Sequence, residues 1–369
     1  MNSKVNSDIS PSKELVFAVL GAGSAGHAMS AGLALKGFEV RLYDLPQFSD
    51  NIEPIQKRGG IEVSGIERGF AKLKATTDVR EAIEGADIIM TTARAYGHRK
   101  FLEACIPYLE NEQKFVINTG YWACLRLRDI FRQTRKEVLF AETTLLIYAG
   151  MRTGPAAVSI DGMKTEMKVA AYPATNTKKV VEALRRAFPQ FTPAANVLET
   201  SLGNFNPVFH VPIALMNIGT IERTKGKFKF YRDGATPFVA RVMDSVDNER
   251  LAVAEGLGLN LPSATEIMKK YYQAKGETTY DAFQSCEAYK EYILPNIFDY
   301  ITEDVAYGLV PAASLGALLD VPTPSCKANI SLWSLINKVN YWQTGITTKK
   351  LGIVGLDAQE IVELATKGE

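Results

Sequence analysis

The segment 15–26 constrains the fold more than any other part of this sequence. Its apolar run LVFAVL (15–20) predicts a buried strand, and Gly21, Gly23 and Gly26 follow at once in a G-x-G-x-x-G pattern. The first glycine permits a tight turn, the second lets a pyrophosphate approach the backbone, and the third lets a helix pack closely on the sheet. The helix that begins at this turn offers free N–H groups and its positive dipole end to phosphates. The pattern therefore predicts a dinucleotide-binding unit near the start of the chain.

The second predicted strand, FEVRLYD (38–44), ends at an acidic residue, Asp44. In a dinucleotide-binding unit, a carboxylate at this place accepts hydrogen bonds from the adenosine ribose and repels a 2′-phosphate, so Asp44 favours NAD over NADP. Arg41 on the same strand weakens that preference only slightly. A solvent-exposed loop carboxylate is the alternative interpretation of Asp44. The candidate cofactor-binding residues at this point are Gly21, Gly23, Ser24, Ala25, Gly26 and Asp44.

Strand and helix patterns alternate over residues 14–200. Further apolar runs at 86–92, 114–119 and 137–143 are separated by helical patterns, which is typical of a parallel sheet covered on both faces. The expected fold class is therefore α/β, with a doubly wound parallel sheet of the Rossmann type. Two β pairs are also expected, an edge hairpin at 61–65 and 70–78 and a second pair within 158–173.

Helical patterns dominate after residue 200, where strand signals fade. The chain is therefore predicted to consist of a flexible tail (1–13), a dinucleotide-binding domain (14–200) and an all-helical C-terminal domain (201–369). The helices of the second domain are expected at 206–222, 235–258, 303–320, 325–340 and 357–367.

Composition excludes several other classes of protein. Lys and Arg number 42 against 41 Asp and Glu, a balance that argues against a nucleic-acid-binding or membrane-surface protein. No apolar run reaches the ~18 residues of a transmembrane helix, and the polar segment 1–13 lacks the apolar core of a signal peptide, so a cytoplasmic protein is expected. Scattered cysteines and few histidines predict neither a disulfide framework nor a metal site.

His210 lies in an apolar segment of helical length, NFNPVFHVPIALMN. A polar ring there requires a hydrogen-bonding partner or a function. Imidazole changes its charge near neutral pH and suits proton transfer during carbonyl or imine reduction, although a satisfied core histidine is an equally good interpretation. Of the other histidines, His27 is expected beside the cofactor or exposed, and His98 at the surface or at a helix cap.

Several segments, in this order and spacing, resemble the octopine/nopaline (opine) dehydrogenase family. They include the glycine loop with the following His27, the N-P-x-x-H motif in NFNPVFHVPIALMNIG, and the E-D-V motif in ITEDVAYGLVPAASLGALLDVPTP. INTGYWA and AETTLLIYAGMRTGP are similar to two further family elements, with Thr119 and Gly150 in place of Pro and Cys, and Ala306 replaces a proline of the E-D-V motif. The run TTARAYGH is similar to the segment under the nicotinamide half of the cofactor, which adds Ala93 to the cofactor-binding residues.

This resemblance implies a Rossmann domain, a helical domain and an active site in the cleft between them. The implied reaction is a reductive condensation, in which an amine or amino acid and a 2-oxo acid form an imine that NADH reduces to a secondary amine. His210 would transfer protons with Asp304 as its partner carboxylate, and Glu142 and Asn206 would face the substrates. A carboxylate beside an imidazole fixes its tautomer and favours the protonated form. The alternative for Asp304 is a charge at a helix N-terminus.

One substrate-binding position departs from the family pattern. The family has an arginine, taken to hold a substrate carboxylate, where this chain has Asp299. Lys290 and Arg241 are the candidate substitutes. Since an aspartate repels a carboxylate and attracts a cation, we expect an amine partner that is cationic or lacks a carboxylate at this place.

Two other functions stay open from the sequence. A simple 2-oxo acid or sugar-phosphate reductase would share the two-domain plan, but it would rely on a catalytic lysine where the central helix here presents a histidine. A non-catalytic NAD-binding sensor would explain the presence of Asp299. The apolar helical domain also suggests a homodimer.

Overall fold

The structure, a computed structural model, describes residues 15–294 and 297–368, and the predicted flexible tail (1–13) lies outside the described residues. Strands are confined to the first part of the described chain, where they form two sheets. The strands are β1 (Val16–Leu20), β2 (Glu39–Tyr43), β3 (Gly60–Gly65), β4 (Gly69–Lys72), β5 (Lys74–Thr76), β6 (Ile88–Thr91), β7 (Lys114–Ile117), β8 (Leu139–Thr143), β9 (Tyr148–Gly154), β10 (Ala157–Met163), β11 (Met167–Tyr172) and β12 (Phe191–Pro193).

Helices connect these strands and make up the remainder of the described chain. The helices among the strands are α1 (Ser24–Leu35), α2 (Glu53–Arg58), α3 (Val79–Ile83), α4 (His98–Cys105), α5 (Ala123–Arg126), α6 (Arg128–Phe131), α7 (Thr177–Arg185) and, after β12, α8 (Val197–Leu202). The later helices are α9 (Asn206–Met216), α10 (Ile218–Thr224), α11 (Pro237–Gly256), α12 (Ala264–Tyr272), α13 (Thr279–Ser285), α14 (Ile297–Glu303), α15 (Val310–Leu318), α16 (Pro324–Asn337), α17 (Tyr341–Thr344), α18 (Thr348–Leu351) and α19 (Ala358–Lys367).

The main sheet has eight strands in the order β12-β11-β8-β7-β6-β1-β2-β5. From β5 to β8 the neighbouring strands are parallel, as the alternation of strands and helices predicts. β11 is antiparallel to β8 and extends the sheet at that edge. The strand order reverses beside β1, and open α/β sheets bind ligands at such a point, beyond the carboxyl ends of the strands.

Of the two predicted β pairs, the one within 158–173 is wrong in its partners, and the edge hairpin is confirmed for β3 and β4. β10 and β11 are not paired with each other, because β10 pairs with β3 and β9 in a small four-stranded sheet while β11 pairs with β8 and β12 in the main sheet. In the predicted edge hairpin, β3 and β4 do pair, but within the small sheet, and β5 alone forms the edge of the main sheet. Apolar alternation predicts that a strand exists but not which strand will lie beside it.

α1 is enclosed on both sides, by the main sheet and by the small sheet of β4, β3, β10 and β9. Every residue from Gly26 to Leu33 is buried. The packing leaves no room for a side chain at Gly32, where a Cβ atom would collide with the ring of Tyr148. The glycine-rich composition of α1 therefore serves its position between two sheets as well as its contact with a cofactor.

The second part of the chain is helical, as predicted, but the helix expected at 206–222 breaks at Asn217. The side-chain amide of Asn217 donates to the carbonyl oxygens of Ile213 and Gly234, at 2.8 and 3.0 Å. These bonds tie the break to the loop that leads into α11. No helix in the described ranges is long and apolar enough to span a bilayer.

The helix expected at 303–320 begins earlier, since the chain is already helical at Ile297. Between α14 and α15 it widens into a π-helical turn over Asp304–Leu309. Gly308 in this turn packs against the ring of Pro207 at the start of α9, where a Cβ atom would collide. Such π-helical turns are frequent at functional sites, because they redirect side chains within a continuous helix.

The last helix, α19, packs back onto the main-sheet layer, against β11 and α8. Ile361 and Ala365 on its inner face are fully buried. The side chain of Asn196 donates to the hydroxyl of Thr366 at 3.4 Å. The end of the chain therefore covers part of the strand-containing half, while the domain boundary near residue 200 stays a prediction.

Candidate active site

The glycine loop connects β1 to α1 as the sequence predicts. Gly21 adopts a left-handed backbone conformation with φ of 101°, and its N–H donates to the carbonyl oxygen of Tyr43 in β2 at 2.8 Å. A Cβ atom at Gly26 would collide with the carbonyl of Gly21, whereas one at Gly23 would have no atom within 4 Å. The loop is thus tight on its inner side and open on its outer side.

The open side of this loop fits a pyrophosphate. Ser24 and Ala25 are the first residues of α1, and N–H groups at a helix start have no partner within the helix. No side-chain cap satisfies them in the described structure. The loop therefore has both the space and the donors that a dinucleotide requires.

Asp44 is buried at the end of β2, so its interpretation as a solvent-exposed carboxylate is wrong. Its carboxylate accepts the N–H of Ala22 at 3.0 Å, the side-chain amide of Asn51 at 3.1 Å and the N–H of Leu45 at 2.9 Å. Burial raises the pKa of Asp44, and these hydrogen bonds and Arg152 act in the opposite direction. Asp44 thereby ties the glycine loop to the strand end where an adenosine ribose is expected.

The arginine that lies close to Asp44 is not the one that the sequence suggests. Arg41 is directed away, since its guanidinium contacts Glu39 and donates to the carbonyl oxygen of Glu84 at 2.6 Å. Arg152 of β9, which sequence reasoning missed, donates to Asn51 at 2.7 Å and lies close enough to act on the carboxylate of Asp44. The cation beside the expected ribose site therefore comes from the small sheet.

The segment after β6 lies against the glycine loop. Ala93 N would be 3.3 Å from a Cβ atom at Gly21, which places Ala93 at the loop. His98 begins α4 but is buried, so its expected place at the surface is wrong. Its Nε2–H donates to the carbonyl of Ala93 at 3.0 Å while Nδ1 accepts from Arg126 at 3.1 Å, and burial lowers its pKa to about 3.

His27 lies beneath the same loop and is fully buried, so the alternative of an exposed His27 is wrong. Its two ring nitrogens face the carbonyl oxygens of Gly23 and Pro155, at 3.0 and 3.3 Å. Burial is the main reason that its pKa is lowered. His27 therefore supports the loop from inside the protein.

His210 and Asp304 form a buried pair, in which Nδ1 of the imidazole donates to the carboxylate at 2.7 Å. The side chains are only 7% and 2% exposed. The other carboxylate oxygen accepts the hydroxyl of Tyr121 at 2.5 Å. Asp304 follows directly after α14, in the interior of a continuous helix, so the alternative of a charge at a helix N-terminus is wrong.

Nε2 of His210 faces the hydroxyl of Tyr231 at 2.8 Å. The ring of Tyr231 is held in an aromatic cluster, where it stacks on Tyr289 with a centroid distance of 4.1 Å and also contacts Phe283. Burial raises the pKa of Tyr231 well above its usual value. Both nitrogens of His210 are therefore bonded to ionisable side chains, a phenol and a carboxylate, rather than to main-chain groups.

An ion pair between Arg94 and Glu303 lies beside His210 and Asp304. Arg94, at the end of the segment after β6, donates to Glu303 at 2.9 Å, and the N–H of Ala95 donates to the other oxygen of Glu303 at 2.5 Å. The Arg94 guanidinium lies over the ring of Tyr300 at 3.9 Å, and the same ring meets His210 edge-on at 5.7 Å. One aromatic ring therefore separates the guanidinium from the imidazole.

Two predicted substrate residues lie at different depths. Asn206 is half-buried at the start of α9, one turn before His210 on the same face. Glu142 is fully buried and accepts hydrogen bonds from Cys124 N at 2.8 Å, Thr200 at 2.8 Å and Ser201 at 2.6 Å. Its oxygens are bonded within the protein, so the geometry favours a role for Glu142 in positioning the loop after β7.

Asp299 is exposed on α14, close enough to Tyr96 to act on its hydroxyl. The expected substitutes for the family arginine lie in other surroundings. Arg241 is exposed and stacks on Phe238 at 5.0 Å, and Lys290 is exposed and pairs with Glu287 at 3.4 Å. The described residues contain no cluster of three or more side chains that could hold a metal ion.

Comparison with known proteins agrees with this arrangement. Residues 193–337 match the α-helical domain of NAD/NADP octopine/nopaline dehydrogenases, and residues 16–120 match the N-terminus of NAD-dependent glycerol-3-phosphate dehydrogenase. An opine dehydrogenase of Arthrobacter sp. (strain 1C) is 34% identical over 353 residues, which span 94% of this chain and 97% of the relative.

Solved structures share the fold. An octopine dehydrogenase in complex with NADH and agmatine aligns with a TM-score of 0.75 at 21% identity, over 96% of this chain and 98% of that one. A ketopantoate reductase from Ralstonia eutropha JMP134 aligns with a TM-score of 0.63 at 19% identity, over 88% of this chain and 99% of the reductase.

The fold and the relatives together define a two-domain, NAD-dependent oxidoreductase with a Rossmann domain and a helical domain. Within this class, the chain belongs to the octopine/nopaline (opine) dehydrogenase family. The predicted fold class, the NAD cofactor and an enzyme of reductive condensation acting on CH–NH bonds are confirmed. The comparisons favour an opine dehydrogenase over a simple reductase or a non-catalytic NAD-binding sensor.

Proposed function

We propose that His210 and Asp304 carry out the proton transfers of a reductive condensation between an amine or amino acid and a 2-oxo acid. The observation that supports this most directly is the 2.7 Å bond between Nδ1 and the carboxylate of Asp304. A carboxylate at Nδ1 fixes the orientation of the ring and leaves Nε2 as the nitrogen that exchanges protons. In the reductive direction the imidazolium gives up that proton as the substrate oxygen leaves as water.

Tyr231 is the group that receives this proton. Its ring is stacked and buried, so we infer that its hydroxyl stays in place when substrate binds and relays the proton. Nε2–H donates to the phenol oxygen while the phenol proton passes to the substrate oxygen, so Tyr231 stays neutral. A raised pKa keeps the hydroxyl protonated before the transfer. Replacement of Tyr231 by Phe is expected to lower kcat by about 10²–10⁴-fold, whereas a hydroxyl that merely competes with substrate would give a lower KM and an unchanged kcat.

The residues that would hold NADH are those of the glycine loop, Asp44 and Ala93. When bound, NADH supplies the hydride that reduces the imine carbon. Asp44 would accept hydrogen bonds from the adenosine ribose, and Arg152, beside Asn51 and Asp44, would supply a positive charge at the same place. The start of α1 offers its N–H groups to the phosphates.

The substrate class follows from the relatives and from Asp299. Solved octopine dehydrogenase structures are described as complexes of NADH with agmatine, L-arginine or pyruvate. For this chain we propose a 2-oxo acid and an amine that is cationic or lacks a carboxylate near Asp299, because this exposed carboxylate attracts positive charge.

NADH oxidation, measured across a matrix of 2-oxo acids and amines, tests the function. Turnover only with both substrates, with the secondary amine detected by mass spectrometry, supports the proposal. Turnover with the oxo acid alone would support the simple reductase. NADH binding without turnover in any combination would support the sensor.

A cytoplasmic location and a homodimer stay predictions. We propose that two copies of the chain contact each other through α16, where three apolar side chains are exposed: Leu332, Leu335 and Ile336. Light scattering after gel filtration measures the mass, and Leu335→Glu is expected to convert a dimer to a monomer. A monomeric wild-type protein would refute the proposal.

A further inference from the structure

Arg94 lies between the cofactor loop and the acid–base pair. Its neighbour Ala93 is packed against the glycine loop, and its own guanidinium lies one aromatic ring, that of Tyr300, from His210. It therefore lies on the side where the carbon that accepts the hydride must be. The steps of the proposed reaction described above do not involve this arginine.

The guanidinium has donors that remain available. Glu303 engages Nη1, and in the part of the chain that the structure describes Nη2 and Nε have no hydrogen bond. The side chain is 31% exposed, so a ligand can reach it. Although burial opposes the charge, the ion pair with Glu303 raises the pKa of Arg94, which keeps the guanidinium charged.

Glu303 also fixes the direction of the guanidinium. It is held itself by the N–H of Ala95, and it directly precedes Asp304 in the chain. Arg126, another cation nearby, is bonded within the protein, to the carbonyl of Tyr121 at 2.9 Å and to His98 at 3.1 Å. Arg94 is therefore the cation that is both oriented and accessible beside His210.

From this geometry we propose that Arg94 binds the carboxylate of the 2-oxo acid. The proposal rests on the proposed function. A planar guanidinium with two free donors matches a carboxylate, and that carboxylate is attached to the carbon that accepts the hydride. The carboxylate must therefore lie near both the cofactor loop and His210, which is where Arg94 is found. Without Arg94, the nearby acidic residues Glu303 and Asp304 would repel the substrate carboxylate from this place.

The test compares Arg94→Gln and Arg94→Lys with Arg99→Gln as a matched control. Arg99 is a half-exposed arginine of α4 that pairs with Glu103 and Asp129. Arg94→Gln is expected to raise the KM for pyruvate about 10- to 100-fold, the equivalent of one charged hydrogen bond. Arg94→Lys should restore part of this loss, and the KM of the amine and the Kd of NADH should stay within about twofold.

A second readout uses the amide of pyruvic acid, which has no negative charge. Wild-type enzyme should prefer pyruvate over this amide, and Arg94→Gln should lose the preference. If Arg94→Gln unfolds because Glu303 is left unpaired, the double variant Arg94→Gln/Glu303→Gln removes both charges and is measured in its place.

An unchanged KM for pyruvate, or a raised KM for the amine alone, would overturn the assignment of Arg94. Failure of the proposed function is distinguishable, because the wild type and Arg99→Gln would then show no condensation either. In that case, pyruvate quenching of NADH fluorescence in the enzyme complex still tests Arg94. Quenching that Arg94→Gln weakens supports the carboxylate site, and equal quenching in both proteins refutes it.

Discussion

Replacing Asp304 by Asn removes one charge from the buried pair and changes little else. The carboxylate accepts two short hydrogen bonds, from His210 at 2.7 Å and from Tyr121 at 2.5 Å. An amide of the same shape can accept Nδ1–H through its oxygen and donate its N–H to the phenol oxygen. The variant is therefore expected to fold, with a loss in the free energy of unfolding of about 1–2 kcal/mol.

The catalytic loss should be larger than the loss of stability. The carboxylate stabilises an imidazolium that is almost completely removed from solvent. A hydrogen bond to a charged group contributes about 1.5–3 kcal/mol, so kcat is expected to fall by about 10- to 160-fold.

Steady-state NADH oxidation, with NADH binding followed by fluorescence, measures the catalytic loss. Asp129→Asn, which changes an exposed aspartate of α6 paired with Arg99, is the matched control. The Kd of NADH should be unchanged in both variants, since the carboxylate of Asp304 bonds His210 and Tyr121 rather than a residue of the glycine loop. A kcat of Asp304→Asn within a few-fold of wild type would show that the pair is structural.

Three further outcomes are expected. Asp44→Ala should weaken NADH binding and reduce the preference of the enzyme for NADH over NADPH. The ratio of kcat/KM with NADH to kcat/KM with NADPH measures this preference, and an unchanged ratio would contradict the role of Asp44. His98 has a folded-state pKa of about 3 against 6.5 in its unperturbed form, so acid favours the unfolded chain. His98 should therefore contribute a fall of about 2 kcal/mol in the free energy of unfolding between pH 7 and pH 5. Urea titrations at the two pH values should show a smaller fall for His98→Gln, and an equal fall in both proteins would contradict this role of His98. Asp299→Arg should shift selectivity toward amino acids with a free carboxylate, and identical substrate ratios would place Asp299 outside the site.

The local elements of the fold follow closely from the sequence. The run LVFAVL and the three glycines define β1, the loop and α1, and the apolar runs that follow predict β6, β7 and β8. These predictions succeed because strand and helix periodicity and glycine geometry are local properties. The pairing of His210 with Asp304 was predicted from family resemblance, since the two residues are 94 positions apart.

The partners contributed by distant segments could not be predicted in this way. Arg94 and Glu303 are 209 positions apart, and nothing in either segment marks the other as its partner. Tyr231 lies in a stretch rich in aromatic residues, where no pattern distinguishes the ring that reaches His210. The small sheet was also missed as a unit, because β3 pairs with β10 across many intervening residues.

The contact of α19 with β11 and α8 affects how the protein forms during translation. The ribosome releases the strand-containing half well before Ile361 and Ala365, the buried residues of α19 that cover part of it. Until then, apolar surface beside β11 stays uncovered on the nascent chain, and such surface invites chaperone binding. A truncation that removes α19 would therefore uncover apolar surface beside β11 and α8, which lie far from it in sequence.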